Sequence, residues 1–368
     1  MKVLSIFGTR PEAIKMAPVV RELAGRPGVE SKVCVTAQHR EMLDQVLGLF
    51  KIKPDVDLNL MRPDQSLAEL TARVFTSLDP VLEKMKPDWV LVQGDTTTVM
   101  AAALNAYYRR IRVGHVEAGL RTQNKWEPFP EEINRRVAGV TADLHFAPTR
   151  WSRQNLLKEG VPESQIHVTG NPVIDALHFV AGQPAPKTVA DLLSKYESKR
   201  ILLVTAHRRE NFGLPLENIC AALLSLAERD DVQVIYPVHL NPNVQEPVKR
   251  LLGNIKNITL LPPLDYLPLV HLMKSADLIL TDSGGIQEEA PAFGIPVLVL
   301  RDVTERPEGV QAGTLKLVGT DVKKIVNEAN YLLNDRLAHA AMSQAVNPFG
   351  KGNSAKQIVD ALVEYSKL

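Results

Sequence analysis

The chain has 368 residues, more than one hydrophobic core usually spans, and at about 150 residues per domain it is expected to fold as two domains. Its composition, 45% hydrophobic and 23% charged, is that of a globular protein and points away from disordered, collagen-like and membrane-embedded classes. Lys+Arg 43 against Asp+Glu 42 leaves a net charge of +1, so no whole-molecule field draws it to nucleic acid or an anionic membrane, and any anion site must be local.

The N-terminus MKVLSIFGTRPE offers five residues of apolar stretch before Gly8 and Arg10, too short for a signal-peptide core. No run approaches the ~18 apolar residues of a membrane span. The expectation is a soluble cytoplasmic protein. Cys34 and Cys220 lie in the apolar runs KVCVT and ENICAALL and read as two buried thiols, which suits a reducing compartment.

In chain order, short β-branched runs closed by Gly, Asp or Pro alternate with stretches of helical period: VLSIFGT then 11–25, KVCVTA then 40–50, WVLVQGD then 97–109, RVGHVEAG then 130–141, and LHFAP then 150–159. Strands this continuously apolar are buried on both faces, which predicts an α/β fold with a mostly parallel sheet and helices on each side. The alternation lapses over 181–190 (AGQPAPKTVA), which is small, Pro-containing and without period. A second series follows with RILLVTAH, VQVIYPV, ITLLPP, DLILTD and PVLVLR. Two Rossmann-like sheets in tandem are expected to face each other across a cleft, with ligands beyond the carboxyl ends of their strands.

The strand-to-helix loops are where chemistry is sought, and nearly every one carries ionisable or Gly-rich residues. DLILTD runs into Ser283-Gly284-Gly285 and then a helix, leaving backbone N–H groups where an anion can approach; an ordinary N-cap with close-packing glycines is the alternative. Arg301 and Arg306 follow the next strand, and Arg10 and Lys15 sit at the first turn of the first domain, four cations that suit a diphosphate. Asp95 and Glu117 end neighbouring strands. Glu131 and Arg135 form an i,i+4 pair on the helix opened by Pro130, so three carboxylates and a cation are expected to meet, and their crowding to raise at least one carboxyl pKa. His207 ends the first strand of the second domain and is expected to face them. There is no G-x-G-x-x-G after either leading strand, no P-loop, and no Cys or His pair at metal spacing, so no cofactor and no metal are expected.

The blocks FGTRPEAIKMAPV, TAQHREMLD, VQGDTTTV, GHVEAGLRT, PFPEEINRR, TAHRREN, LTDSGGIQEEAP and RDVTERPEG, in that order over residues 1 to about 320, resemble the non-hydrolysing UDP-N-acetylglucosamine 2-epimerases, which interconvert UDP-GlcNAc and UDP-ManNAc. The resemblance implies a GT-B-type fold: a first domain over 1–172, joined by a C-terminal helix at 352–368 that crosses back to it, and a second over 173–351, in a cytoplasmic homodimer that makes a cell-surface polysaccharide precursor. It implies that Arg10, Lys15, Ser283, Gly284, Gly285 and Arg306 hold the diphosphate or its neighbourhood, that Glu289 takes the ribose hydroxyls, and that Leu264 and Leu269 lie at the uracil. Asp95, Glu117, Glu131 and His207 take acid/base and transition-state roles, with Arg135 supporting Glu131. The implied reaction eliminates UDP to a 2-acetamidoglucal and adds it back. A second UDP-GlcNAc as activator is implied at Gln38, His39, Glu131, Arg208 and His239, although Glu41 stands where activator-dependent relatives carry Gln and Asp64 near an Arg of theirs. A GT-B glycosyltransferase, a hydrolysing epimerase releasing ManNAc and UDP, and a non-catalytic UDP-sugar sensor are the competing readings.

Overall fold

Runs such as VLSIF and WVLVQ have no polar face to present to water, so they are stable only as central strands covered on both sides. The computed structural model describes residues 1–37, 40–62 and 65–367 and shows this arrangement twice. The strands of the first sheet are β1 (Lys2–Phe7), β2 (Glu30–Val35), β3 (Val56–Asp57), β4 (Trp89–Gln93), β5 (Arg112–Val116), β6 (Leu144–Ala147) and β7 (Ile166–Val168). Those of the second are β8 (Arg200–Thr205), β9 (Val232–Pro237), β10 (Ile258–Leu261), β11 (Leu278–Thr281), β12 (Val297–Val299) and β13 (Leu315–Leu317).

The first sheet runs β3-β2-β1-β4-β5-β6-β7 and the second β10-β9-β8-β11-β12-β13, with parallel pairing throughout. In each sheet the order reverses once, between β1 and β4 and between β8 and β11. Loops leaving neighbouring strands part at such a switch point, and the crevice they leave is where open α/β sheets hold ligands.

The chain divides into two units, Met1–Ala176 with Phe349–Leu368, and Leu177–Pro348. The first is closed by the helix Ser354–Tyr365, which buries Ile358, Val359 and Leu362 and packs along the helix Arg10–Gly25. Buried Trp89 fixes its end: the indole Nε1 donates to Ser366 Oγ at 2.9 Å, and the ring stands edge-on to Tyr365 at 5.6 Å. Gly170 is required where this returning segment passes, because a Cβ there would come within 2.8 Å of Ser354 Oγ and 3.0 Å of Gly350 Cα, and its φ is +79°.

Most expected strands and helices form within a residue or two of their predicted ends. The helix Leu67–Met85 lies in a stretch to which the sequence reading assigns nothing, although Ser66 and Glu69 form a complete capping box at its start. β3, β7 and β13 are edge strands of two or three residues, too short to show a period. The aperiodic stretch 181–190 is not irregular throughout: the helix Lys187–Lys195 begins inside it, behind Pro186. Cys34 and Cys220 are both buried free thiols, each pushed up to about 12 by burial and therefore protonated at neutral pH. Among the described residues, no helix is long and apolar enough to cross a membrane.

Candidate active site

In the first unit the site is built on the carboxyl ends of β1, β4 and β5. Glu117 follows β5 with φ +63°, a left-handed conformation that costs a non-glycine residue on the order of 1–3 kcal/mol and is tolerated where surrounding contacts over-determine it. Those contacts are present. Lys15 Nζ donates to Glu117 Oε1 at 2.6 Å, Asn171 Nδ2 donates to the same oxygen at 2.7 Å, and Gln93 Nε2 donates to Oε2. Glu117 is 6% exposed, so the cation from the helix Arg10–Gly25 compensates a charge that water hardly reaches.

Asp95 lies in the next loop, after β4. Gly94, with φ +82°, brings that loop so close that a Cβ on it would sit 3.5 Å from Glu117 Oε2. Asp95 Oδ2 accepts from Arg135 Nη2, and Arg135 Nη1 donates to Glu132 Oε2 at 3.2 Å. This corrects the expected pairing: Arg135 bonds Asp95 and its i−3 neighbour Glu132, not Glu131. Glu132 is fully buried and also accepts from the backbone of Thr122 and Gln123, so the inward face of the helix Glu131–Thr141 carries Glu132 and Arg135 together. Glu131 is half-buried at the first position of that helix, and its side chain makes no hydrogen bond or ion pair with the described residues. The expected gathering of three carboxylates therefore reduces here to Asp95 and Glu117, with Glu132 joined through Arg135.

Glu12, quoted in the first motif but not singled out, is a carboxyl that burial holds above its ordinary range. It completes a capping box with Thr9, accepting from Gly8 N at 2.9 Å and Thr9 N at 2.7 Å, and Thr96 Oγ1 donates to it at 2.6 Å. The loops after β1 and β4 are thereby joined through one side chain. His115, buried within β5, is pushed down to about 4 by that burial and stays neutral, its Nε2 2.7 Å from the carbonyl of Gly94. Arg10 opens the helix Arg10–Gly25 half-buried, its guanidinium without a hydrogen-bond or ion-pair partner among the described residues.

In the second unit the loops after β8, β11 and β12 meet around Asp282, which is fully buried. Its Oδ2 accepts from the backbone N–H of His207 and of Arg208, each at 2.8 Å, and from Asn211 Nδ2 at 3.0 Å. The His207 ring is held outward, Nδ1 3.7 Å from Asp282 Oδ1, and stacks on His239 with centroids 5.3 Å apart and planes 13° off parallel. Ser283 occupies the N-cap position of the helix Gly284–Glu289 without a side-chain capping hydrogen bond. Gly284 is flanked by two guanidinium groups, since a Cβ there would lie 3.1 Å from Arg306 Nη1 and 3.5 Å from Arg208 Nη2. Beside Gly285 lies Glu289 Oε1, 3.5 Å from the place of a Cβ, in a side chain that is itself buried. Leu264 and Leu269, before and on the helix Tyr266–Lys274, are both half-buried.

The expected cations of this unit, Arg301 and Arg306, are already compensated. Arg306 donates hydrogen bonds to Glu288 at 2.7 Å and Glu305 at 2.8 Å, and Arg301 forms an ion pair with Glu210 at 2.6 Å. Glu305 also stands 3.7 Å from Arg301 and 3.9 Å from Arg208, so three guanidinium groups surround one carboxylate. That is an anion-binding environment whose present occupant comes from the chain itself. Gln38 and His39, and Asp64, lie outside the described residues. No group of three or more His, Cys, Asp or Glu among the described residues could hold a metal ion.

These features define a tandem parallel α/β protein with paired carboxylates at the strand ends of one unit and arginines gathered around a carboxylate at those of the other. The family model described as UDP-N-acetylglucosamine 2-epimerase matches residues 21–363. A curated UDP-N-acetylglucosamine 2-epimerase from Escherichia coli (strain K12) is 58% identical over 369 residues, covering 98% of each chain. The crystal structure of UDP-GlcNAc 2-epimerase from Neisseria meningitidis bound to UDP-GlcNAc superposes with a TM-score of 0.91 at 51% identity, over 99% of this chain and 100% of that one. That of the Methanocaldococcus jannaschii enzyme in complex with UDP-GlcNAc and UDP gives 0.81 at 36% identity, over 99% and 100%. The chain belongs to the UDP-N-acetylglucosamine 2-epimerase family.

The burial of Glu12 has a measurable consequence. Because its pKa is raised in the folded state, the folded protein binds that proton more tightly than the unfolded chain, so the associated stability is fully present below 4.5 and is lost as pH rises through the raised value. Glu12→Gln keeps the capping-box geometry, since Gln serves at that position, and removes the ionisation. Urea unfolding of Glu12→Gln between pH 4 and 8 is expected to show a shallower fall of stability with rising pH than the parent. Parallel curves would mean that Glu12 titrates as an ordinary surface carboxylate.

Proposed function

We propose that this chain epimerises UDP-N-acetylglucosamine at C2 to UDP-N-acetylmannosamine without hydrolysing it, by eliminating UDP and adding it back. The observation that carries the reading is that Asp95 and Glu117, in a chain of this family, stand at adjacent strand ends, each bound to a cation, within a cluster of buried polar groups. A nucleotide sugar requires one region that stabilises a leaving diphosphate and another that moves protons at the sugar. The arginines around Gly284 and Glu305 suit the first task, because a diphosphate carries more charge than Glu305, the one carboxylate that Arg208, Arg301 and Arg306 share.

In the proposed reaction a base of the first unit takes the proton from C2, and the C2–H electron pair becomes the C1–C2 double bond of a 2-acetamidoglucal. The C1–O bond breaks with its electrons leaving on the diphosphate. UDP then re-adds at C1 while C2 is protonated on the opposite face. Fixed donors aimed at the departing charge contribute about 3 kcal/mol each in comparable sites. Delivery of a proton from two faces accounts for more than one acid/base group, and Asp95, Glu117, Glu131 and His207 are the candidates. We also read the chain as a homodimer, a reading supported by Tyr107, Tyr108, Ile133 and Val140, which are 60%, 64%, 41% and 88% exposed on two helices of the first unit that pack together.

Incubation of UDP-GlcNAc alone with the protein in heavy water, followed by NMR, is expected to give UDP-ManNAc carrying deuterium at C2 and no free ManNAc. Inversion without label would contradict elimination, free ManNAc with UDP would indicate hydrolysis, and a requirement for an acceptor would indicate a transferase. Asp95→Asn, which preserves the shape of the Arg135 contact, is expected to reduce turnover at least a hundredfold while the protein still folds, in line with the roughly 10²–10⁴ supplied by acid/base groups. Turnover within a few-fold of the parent would remove Asp95 from the chemistry.

A further inference from the structure

Asn171 belongs to none of the motifs that mark the site, yet it is 1% exposed and its side chain is committed at both ends. Its Oδ1 accepts from Val173 N at 3.2 Å, at the start of the helix Pro172–Ala181, so the oxygen serves a helix terminus. With the oxygen assigned there, the amide nitrogen is the atom that meets Glu117, donating to Oε1 at 2.7 Å beside Lys15. The backbone N–H of Asn171 donates to the carbonyl of Phe349 at 2.7 Å, in the segment that returns to the first unit. One residue thus ties a helix start, the returning chain and the oxygen that also binds Lys15.

We propose that Asn171 is a positioning residue that holds Glu117 in its left-handed conformation as an ionised carboxylate, and that asparagine stands there because one end of the side chain must accept and the other must donate. The proposal rests, as regards catalysis, on the reading of Glu117 given above. An aspartate would serve the helix start as well as asparagine but would turn an acceptor toward Glu117, and two carboxylates at that distance cannot both ionise freely. A serine would also serve the helix start, while its hydroxyl is too short to span to Glu117. Among the charged and titratable groups around this carboxylate are Lys15, from the helix Arg10–Gly25, and His115 of β5, which interacts with it electrostatically. They are unchanged in either variant, so a shift reports Asn171 alone.

The test follows the carboxyl carbon resonance of Glu117 against pH in protein labelled at the glutamate carboxyl carbon, assigned by its loss in Glu117→Gln. In N171D the titration midpoint is expected to rise by about one unit or more, with a melting temperature within a few degrees of the parent because the helix start is kept. In N171S a smaller rise is expected, since a donor is lost without a charge being added. If N171D does not fold, N171S decides the matter alone. An unchanged midpoint in the folded variants overturns the proposal and leaves Asn171 a helix cap. The acidic limb of the pH–rate profile is expected to move with the resonance. A resonance that moves while the limb stays would refute the acid/base role of Glu117 and leave the positioning role standing.

Discussion

The first unit depends on a buried charge that cannot be left alone. Glu117 is almost wholly shielded from water, and Lys15, 102 positions earlier, reaches it from the first helix. Removing one partner of such a pair typically costs 3–5 kcal/mol, because the remaining charge stays buried and uncompensated. The helix Arg10–Gly25 must therefore dock with Lys15 over the end of β5, and Glu12, three positions before Lys15, then meets Thr96 at the next loop. A left-handed glutamate, a capping box with a buried acid and a lysine pointing inward are each unfavourable by themselves. They are mutually satisfied at the β1/β4 switch point, where the sheet order leaves room for their side chains.

The second unit solves a similar problem with the signs exchanged. Its loops gather arginines, and the chain supplies carboxylates to neutralise them: Glu288 and Glu305 for Arg306, and Glu210 for Arg301. Asp282 organises the loop after β8 by accepting from two successive backbone N–H groups, which turns the ring of His207 outward onto His239. An anion entering this environment would compete with Glu305 for its arginines. The net charge of +1 for the whole chain is consistent with such local balance, in which cations are held beside their own counterions.

Much of this is legible in the sequence, and the parts that are not share a physical cause. Apolar runs with sharp polar ends locate the strands, and the residues just past them, Asp95, Glu117, His207, Ser283 and Arg306, are the ones found in the two clusters. What the pattern cannot show is pairing across the fold. The Glu131/Arg135 spacing is a sound helical pair, but burial of Glu132 beside Arg135 overrides it, and tertiary contact decides which acid faces inward. Gln93, Asn171 and Asp282 leave no periodic signal, because each reaches the site through contacts to residues more than 20 positions away. Glu12 was detectable, since Thr9-Arg10-Pro11-Glu12 is a capping box followed by an apolar stretch.

A thermodynamic double-mutant cycle on Lys15→Gln and Glu117→Gln tests this view most directly, with unfolding free energies measured in urea at neutral pH. If the buried pair governs the first unit, each single variant is strongly destabilised and the double variant recovers much of the loss, giving a coupling of about 2 kcal/mol or more. Losses that simply add, with no recovery in the double variant, would show that the two charges do not depend on each other and that the site is held together by something else.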